Sequence, residues 1–285
     1  MTVTHAPRAA EVAKPSALTN PLFINLVLLG GSTQEKIAAA KAAGFDQIEL
    51  WRQDLEAFGG DAPELRRVLS NTGIALTDYQ VLLDFDGAPA SIRADKRAEA
   101  LRMLDTAAAL GATTLLSPAS THADCVAEQV DEDMHWLAQQ AAQRNLGIAY
   151  EGMAWSTINH SLPAAWACVQ RVGAPNLGVV VDAFHIFARG RDASDLDGIL
   201  TDRIFLVQLS DLTEKVDSSN VTEVARHRRL LPGQGHFPID SILAKLKLAG
   251  YTGPIGLEVF NDVMKSRDPK QVTMEAMQAL KSVWK

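Results

Sequence analysis

Cysteine is nearly absent from this sequence of 285 residues; Cys125 and Cys168 are the only two. That excludes a disulfide framework and leaves two reduced thiols in or near helices as the expectation. Long apolar runs are missing as well, since none reaches the ~18–20 residues that a membrane helix needs. The opening stretch MTVTHAPRAAEVAKPSALTN lacks the apolar centre of a secretory signal. Residues 1–20 are therefore expected to form a loose polar tail, with the cytoplasm as compartment. Positive charge is in deficit, with 27 Lys and Arg against 34 Asp and Glu and a formal net charge of -7. Nucleic acid and anionic membrane are thus disfavoured as partners, whereas a small substrate in a local cationic pocket is not.

Hydrophobic residues make up 47% of the chain, enough for a sizeable core. From about residue 22 they fall into short apolar runs: LFINLVLL (22–29), QIELW (47–51), IALTDYQVLL (74–83) and TTLLSP (113–118). LGIAYE (146–151), LGVVVD (177–182), RIFLVQLS (203–210) and IGLEVF (255–260) follow. Each has strand length, and turn residues bound most of them. Between them lie helical stretches such as TQEKIAAAKAAG, which opens after Ser32 as a candidate N-cap and closes at Gly44. Helix, glycine, apolar run is the second half of a βαβ unit. An open doubly wound sheet would often carry GxGxxG after its first strand, but here that strand leads into LLGGST. Eight units without that loop predict an α/β fold, a single-domain (β/α)8 barrel over residues 21–285.

Barrels of this kind carry their functional groups at the C-terminal strand ends. Polar side chains recur there: Glu49 and Arg52 on the second run, Glu151 on the fifth, Asp182 on the sixth, Gln208 and Asp211 on the seventh, Glu258 on the eighth. Converging carboxylates repel unless a cation sits among them. Glu151, Asp182, Gln208 and Glu258 make an all-oxygen set, suited to Mg²⁺ or Mn²⁺ more than to Zn²⁺. Taken singly, each could instead cap a loop or pair with an arginine. His185, three residues past Asp182, is a candidate general base or else a buried, satisfied histidine. The segment ARHRRLLPGQGHFP holds Arg226, His227, Arg228 and Arg229. It is either a solvated charge run or a cationic grip on a substrate carboxylate or phosphate.

Taken together, GFDQIELW, IAYEGMAW, GVVVDAFHIFARG, RIFLVQLSDL, LPGQGHFP and GYTGPIGLEVFND resemble the xylose-isomerase-like TIM barrel superfamily across residues 22–264. Within it, DYQVLLDFDG, RHRRLLPGQG and EVFND are most similar to bacterial 3-dehydroshikimate dehydratases, and Gln208 stands where sugar epimerases and inosose dehydratases usually have His. The resemblance implies Glu151, Asp182, Gln208 and Glu258 as metal ligands and His185 as base; a reprotonated His185 and Glu258 are the two candidates for the acid. It also implies Arg226 and Arg229 on the substrate's carboxylate or oxygens, while His227 and Arg52 are candidate substrate contacts from their places near strand ends and not from the resemblance.

Leu83, Arg52, Thr157, Ile158 and Ala225 depart from that group's pattern, and Arg52 is a candidate replacement for the cation missing at Leu83. The resulting expectation is a Mg²⁺- or Mn²⁺-dependent lyase that dehydrates a cyclic β-hydroxy ketone, 3-dehydroshikimate to protocatechuate. The alternatives are a keto-sugar isomerase or epimerase or an inosose dehydratase on the same centre, and a non-catalytic sugar or keto-acid binding barrel. A homo-oligomer is compatible with any of these.

Overall fold

The computed structural model describes residues 20–285. The tail expected over residues 1–20 lies outside the described residues except for Asn20. Eight parallel strands close in sequence order into one barrel. They are β1 (Leu22–Asn25), β2 (Gln47–Trp51), β3 (Ala75–Gln80), β4 (Thr114–Pro118), β5 (Gly147–Glu151), β6 (Leu177–Asp182), β7 (Ile204–Leu209) and β8 (Ile255–Leu257). Helices fill the connections, so the single-domain (β/α)8 expectation holds. Among the described residues, no helix is long and apolar enough to cross a membrane.

Every apolar run became a strand, but three strands stop well short of their runs. β1 ends at Asn25 because its side chain accepts the Val27 N–H at 3.0 Å and turns Leu26–Leu28 into a 3-10 helix. β3 ends at Gln80, which leaves Leu83 on a loop and 43% exposed. β8 ends at Leu257, and the chain beyond it is drawn aside by Arg229 N–H donating to the Phe260 carbonyl. Helix ends follow the capping chemistry of the sequence. Ser32 and Glu35 make a reciprocal capping box at the start of Thr33–Ala43, and Gly44 closes that helix at a φ of 94°.

Two cores form. The larger fills the space between strands and helices, where Ile24, Ile48, Leu115, Ile148 and Val181 meet Ile37, Leu65, Leu104 and Leu137. The smaller lies inside the barrel, where Phe23, Leu116, Ala149, Val180 and Leu206 from five strands touch one another. Side chains alternate along a strand, so two residues on from this apolar plug the chain again faces inward. Those positions are Asn25, Pro118, Glu151, Asp182 and Gln208. The polar layer therefore sits directly on the plug, at the strands' C-terminal end.

Gly256 makes the plug possible. A Cβ there would lie 2.2 Å from the Phe23 carbonyl oxygen and 2.4 Å from its ring. Gly256→Ala must push β8 from β1 at the barrel's closing seam. We expect it to lower stability by about 1–3 kcal/mol, the usual cost of overpacking, read as a shift in urea midpoint. An unchanged midpoint would show that the plug gives way more easily than its packing implies.

Candidate metal centre

Asp182 ends β6 and caps the short helix Ala183–Phe187, its Oδ1 accepting the Phe184 N–H at 2.7 Å. One turn on, the helix brings His185 back over the barrel. Its Nε2 lies 3.5 Å from Asp182 Oδ2 and 3.6 Å from Glu151 Oε1. Glu151, Asp182 and His185 each bring a ligand atom within 4.8 Å of the others. All three are buried. Ala154 N–H donates to His185 Nδ1 at 3.1 Å, which in a neutral ring puts the hydrogen on Nε2. The ring is neutral near pH 7, because burial pushes its pKa down to about 4. With a hydrogen on Nε2, His185 has no lone pair there to give a cation, which leaves the neighbouring oxygens as donors.

Across the barrel, Asn25 Nδ2 donates to Glu258 Oε1 at 3.0 Å. Gln208 Nε2 donates to Glu49 Oε1 at 2.8 Å and, more weakly, to Glu258 Oε1 at 3.4 Å. β2 and β7 are not neighbours in the sheet, so the Glu49–Gln208 bond spans the barrel interior. Of the four expected ligands, Glu151 and Gln208 each have one buried oxygen, Oε1, without a hydrogen-bond partner among the described residues. Nearby, Glu49 Oε2 and both Asp78 oxygens share that condition.

Arg229 is the cation already present. It is 1% exposed, and its Nη1 lies 2.9 Å from Asp182 Oδ2 and 3.1 Å from Glu258 Oε2. The guanidinium is stacked over Phe184 at 4.4 Å and Phe260 at 5.2 Å, and its Nε donates to the Ala225 carbonyl. Asp211 anchors the segment that follows. Its two oxygens accept N–H bonds from Leu212, Gly233, Gly235 and Phe237, and its backbone pairs with Leu230. Asp211 thus works as a loop clamp.

One guanidinium does not balance this many carboxylates. Burial raises Glu151 well above the ordinary range, and Glu258 and Asp182 push it further. Burial also carries Glu258 up to about 7 although Arg229 pulls the other way. Glu49 and Asp78 are raised well above their usual values, burial first and neighbouring acids second. Buried acids with unpartnered oxygens are the environment that a further cation relieves. Each strand-end oxygen group also keeps lone pairs free beyond its present bonds. The donor set therefore fits a divalent ion.

Other residues named from the sequence are spread more widely. Arg52 pairs with Glu56 and with Glu99 of the helix Ala90–Leu110. Arg226 and His227 are exposed at the end of the helix Val221–His227, with His227 Nδ1 2.9 Å from Asp262. Arg228 is occupied by Glu214 and Glu223. Thr157 is exposed, Ile158 half-buried, and Ala225 buried beneath Arg229. Sequence reasoning passed over Asn25, Asp78 and Gln80, and noted Glu49 without giving it a role. Their signal was a polar residue inside an otherwise apolar strand, all four being fully buried.

A family model described as xylose isomerase-like TIM barrel matches residues 37–283. The chain is similar to the 3-dehydroshikimate dehydratase of Pseudomonas putida, at 32% identity over 259 residues, covering 90% of this chain and 40% of that protein. It is similar to an inosose isomerase of Halalkalibacterium halodurans, at 30% identity over 148 residues, covering 51% of this chain and 48% of that protein. Among solved structures, a xylose isomerase-like TIM barrel/4-hydroxyphenylpyruvate dioxygenase fusion protein superposes with a TM-score of 0.88 at 31% identity, over 93% of this chain and 42% of that one. The chain thus spans about two fifths of the length of the dehydratase and of the fusion protein.

Proposed function

Because the chain belongs to the xylose isomerase-like TIM barrel family, we propose that it is a divalent-metal-dependent dehydratase of a cyclic β-hydroxy ketone, with 3-dehydroshikimate as substrate and protocatechuate as product. The observation that carries the metal is the pair of buried, unpartnered oxygens, Glu151 Oε1 and Gln208 Oε1, among raised carboxylates. The substrate class rests on the similarity to the Pseudomonas putida dehydratase over 90% of the chain. Glu151, Asp182, Gln208 and Glu258 would hold the ion, with Mg²⁺ or Mn²⁺ favoured by the oxygen donors. When bound, it supplies Lewis-acid stabilisation of charge on the substrate's carbonyl oxygen.

The protein's own part is proton transfer and restraint. The Nε2–H of His185 fits a hydrogen bond to the departing hydroxyl oxygen and is kept by the ring, since a neutral imidazole that gave it up would become an imidazolate. Glu151, with Oε1 left to the ion, would accept on its other oxygen the proton from the carbon beside the carbonyl. The same proton, passed from Glu151 to the departing hydroxyl, would let it leave as water and return the carboxylate to its starting state. In this reading the base role that the resemblance assigns to His185 moves to Glu151, because Ala154 N–H already occupies Nδ1. Trp155, edge-on to His185 with ring centroids 4.9 Å apart, limits rotation of the imidazole. Arg229 holds Asp182 and Glu258 in place, its Nη1 donating to Asp182 Oδ2 and to Glu258 Oε2.

The test is a spectrophotometric assay of the metal-loaded chain with 3-dehydroshikimate. Aromatisation should produce ultraviolet absorbance that a chelator abolishes and Mg²⁺ or Mn²⁺ restores. Silence with Mg²⁺, Mn²⁺ and Zn²⁺ would sink the dehydratase reading. A second reading, a keto-sugar or inosose isomerase on the same centre, is carried by the similarity to inosose isomerase. It predicts turnover of inososes or ketohexoses with no new absorbance.

A further inference from the structure

A glutamine ligand has a weakness that a carboxylate lacks. Its two ends are alike in shape and opposite in function, and rotating the amide half a turn would present NH₂ to a cation instead of oxygen. Something must fix the amide. Gln208 is fully buried on β7, and its Nε2 is directed at Glu49 Oε1, 2.8 Å away on β2. The same NH₂ group lies 3.4 Å from Glu258 Oε1. Flipping the amide would set Gln208 Oε1 against two carboxyl groups and lose both donations in a site sealed from water. As held, Oε1 is the end left without a partner.

Glu49 is itself fully buried, with Oε1 on Gln208 and Oε2 unpartnered. It makes no ion pair among the described residues, so forming one does not explain why an acid stands there. We infer that Glu49 is a positioning residue for the metal centre: by accepting from the Gln208 amide across the barrel, it fixes the amide so that Gln208 Oε1 faces the cation. This rests on the metal reading above and concerns only how one ligand is aimed. The role needs an acceptor rather than a charge, because a neutral carbonyl oxygen in the same place would still accept from the NH₂ and oppose the flip. Outer partners that orient a metal ligand typically contribute about 10–100-fold to affinity.

The experiment is a Mn²⁺ titration of the full chain after removal of metal by a chelator, with free Mn²⁺ followed by electron paramagnetic resonance. Glu49→Ala should bind Mn²⁺ about 10–100-fold more weakly. Glu49→Gln, which keeps an acceptor oxygen and removes the charge, should stay close to wild type. In a Gln208→Ala background, Glu49→Ala should cause little further loss, because its effect runs through the amide.

Three results would each overturn the inference. They are wild-type affinity in Glu49→Ala, a loss in Glu49→Gln as large as in Glu49→Ala, or an undiminished Glu49→Ala loss without Gln208. A wild-type chain that binds neither Mn²⁺ nor Zn²⁺ would remove the metal reading itself, and the inference with it. If Glu49→Ala does not fold, the Gln208 side-chain amide decides, assigned by its disappearance in a Gln208→Met variant. Its proton–nitrogen signals should be protected from exchange in the wild type and should shift on addition of Zn²⁺. Fast exchange, or signals that ignore Zn²⁺, would refute the restraint.

Discussion

Asp182→Asn should lower kcat/KM for the dehydration by on the order of 10³-fold, with loss of bound divalent metal and little loss of fold. The substitution is chosen because Asp182 serves two ends at once. Oδ1 caps the helix that carries His185, and Oδ2 faces Arg229 and the proposed cation. Asparagine is as good an N-cap as aspartate, so the Phe184 N–H keeps its acceptor and the helix its start. What disappears is the negative charge that draws the cation and one of the two carboxylates on Arg229. Elemental analysis of the purified variant should show reduced metal, and excess Mn²⁺ should restore only part of the rate. A variant that keeps full metal content and full activity would mean that Asp182 is only a helix cap, and the proposed centre would have to be rebuilt elsewhere.

Arg229→Met should be the most destabilising single change at the site, at about 3–5 kcal/mol in the metal-free protein. The guanidinium is nine-tenths or more enclosed and bridges two buried carboxylates, so its removal leaves Asp182 and Glu258 without their counter-ion. Methionine keeps the unbranched stem to about the Nε position, which limits the packing lost beside Phe184 and Phe260 and leaves charge and hydrogen bonding as the main loss. Urea unfolding should therefore show a lower midpoint with an unchanged slope. Saturating divalent metal should recover a larger share of stability in the variant than it adds to wild type, since it meets the same two carboxylates. A loss below about 1 kcal/mol, typical of exposed pairs, would contradict the enclosed geometry. Equal stabilisation of both proteins by metal would separate Arg229 from the cation site.

Much of the barrel was legible residue by residue because the signals are local. Ser32, Glu35 and Gly44 mark one helix by chemistry within a few residues of each end. The strand runs were visible because burial on both faces of a parallel strand selects continuous apolar sequence. Their ends were less visible. β1 stops early through a single Asn25 side-chain bond, and β8 stops where Arg229 pairs with Phe260, a partner 31 residues earlier in the chain than the carbonyl it meets. Pattern alone carries neither event.

Glu151, Asp182 and Gln208 could be proposed from sequence because a period of two links each to an apolar neighbour that must face the barrel's interior. The four residues of RHRR could not be sorted that way. Docking of Val221–His227 and the Asp211 clamp buries Arg229 over the carboxylates while Arg226, His227 and Arg228 face solvent. Similarly, Arg52 sits at a strand end, yet its side chain follows the helix toward Glu99 rather than the barrel mouth.

By itself, then, the sequence determined which segments become strands and helices, and which strand ends carry oxygen donors, because hydrophobic period and capping act over a few residues. Only the tertiary structure decided which donors meet. Gln208 and Glu49 lie 159 residues apart, and Asn25 and Glu258 lie 233 apart. Closure of the barrel brings each pair within hydrogen-bond reach, and in that dry interior the contacts fix how the buried amides and carboxyl groups are oriented.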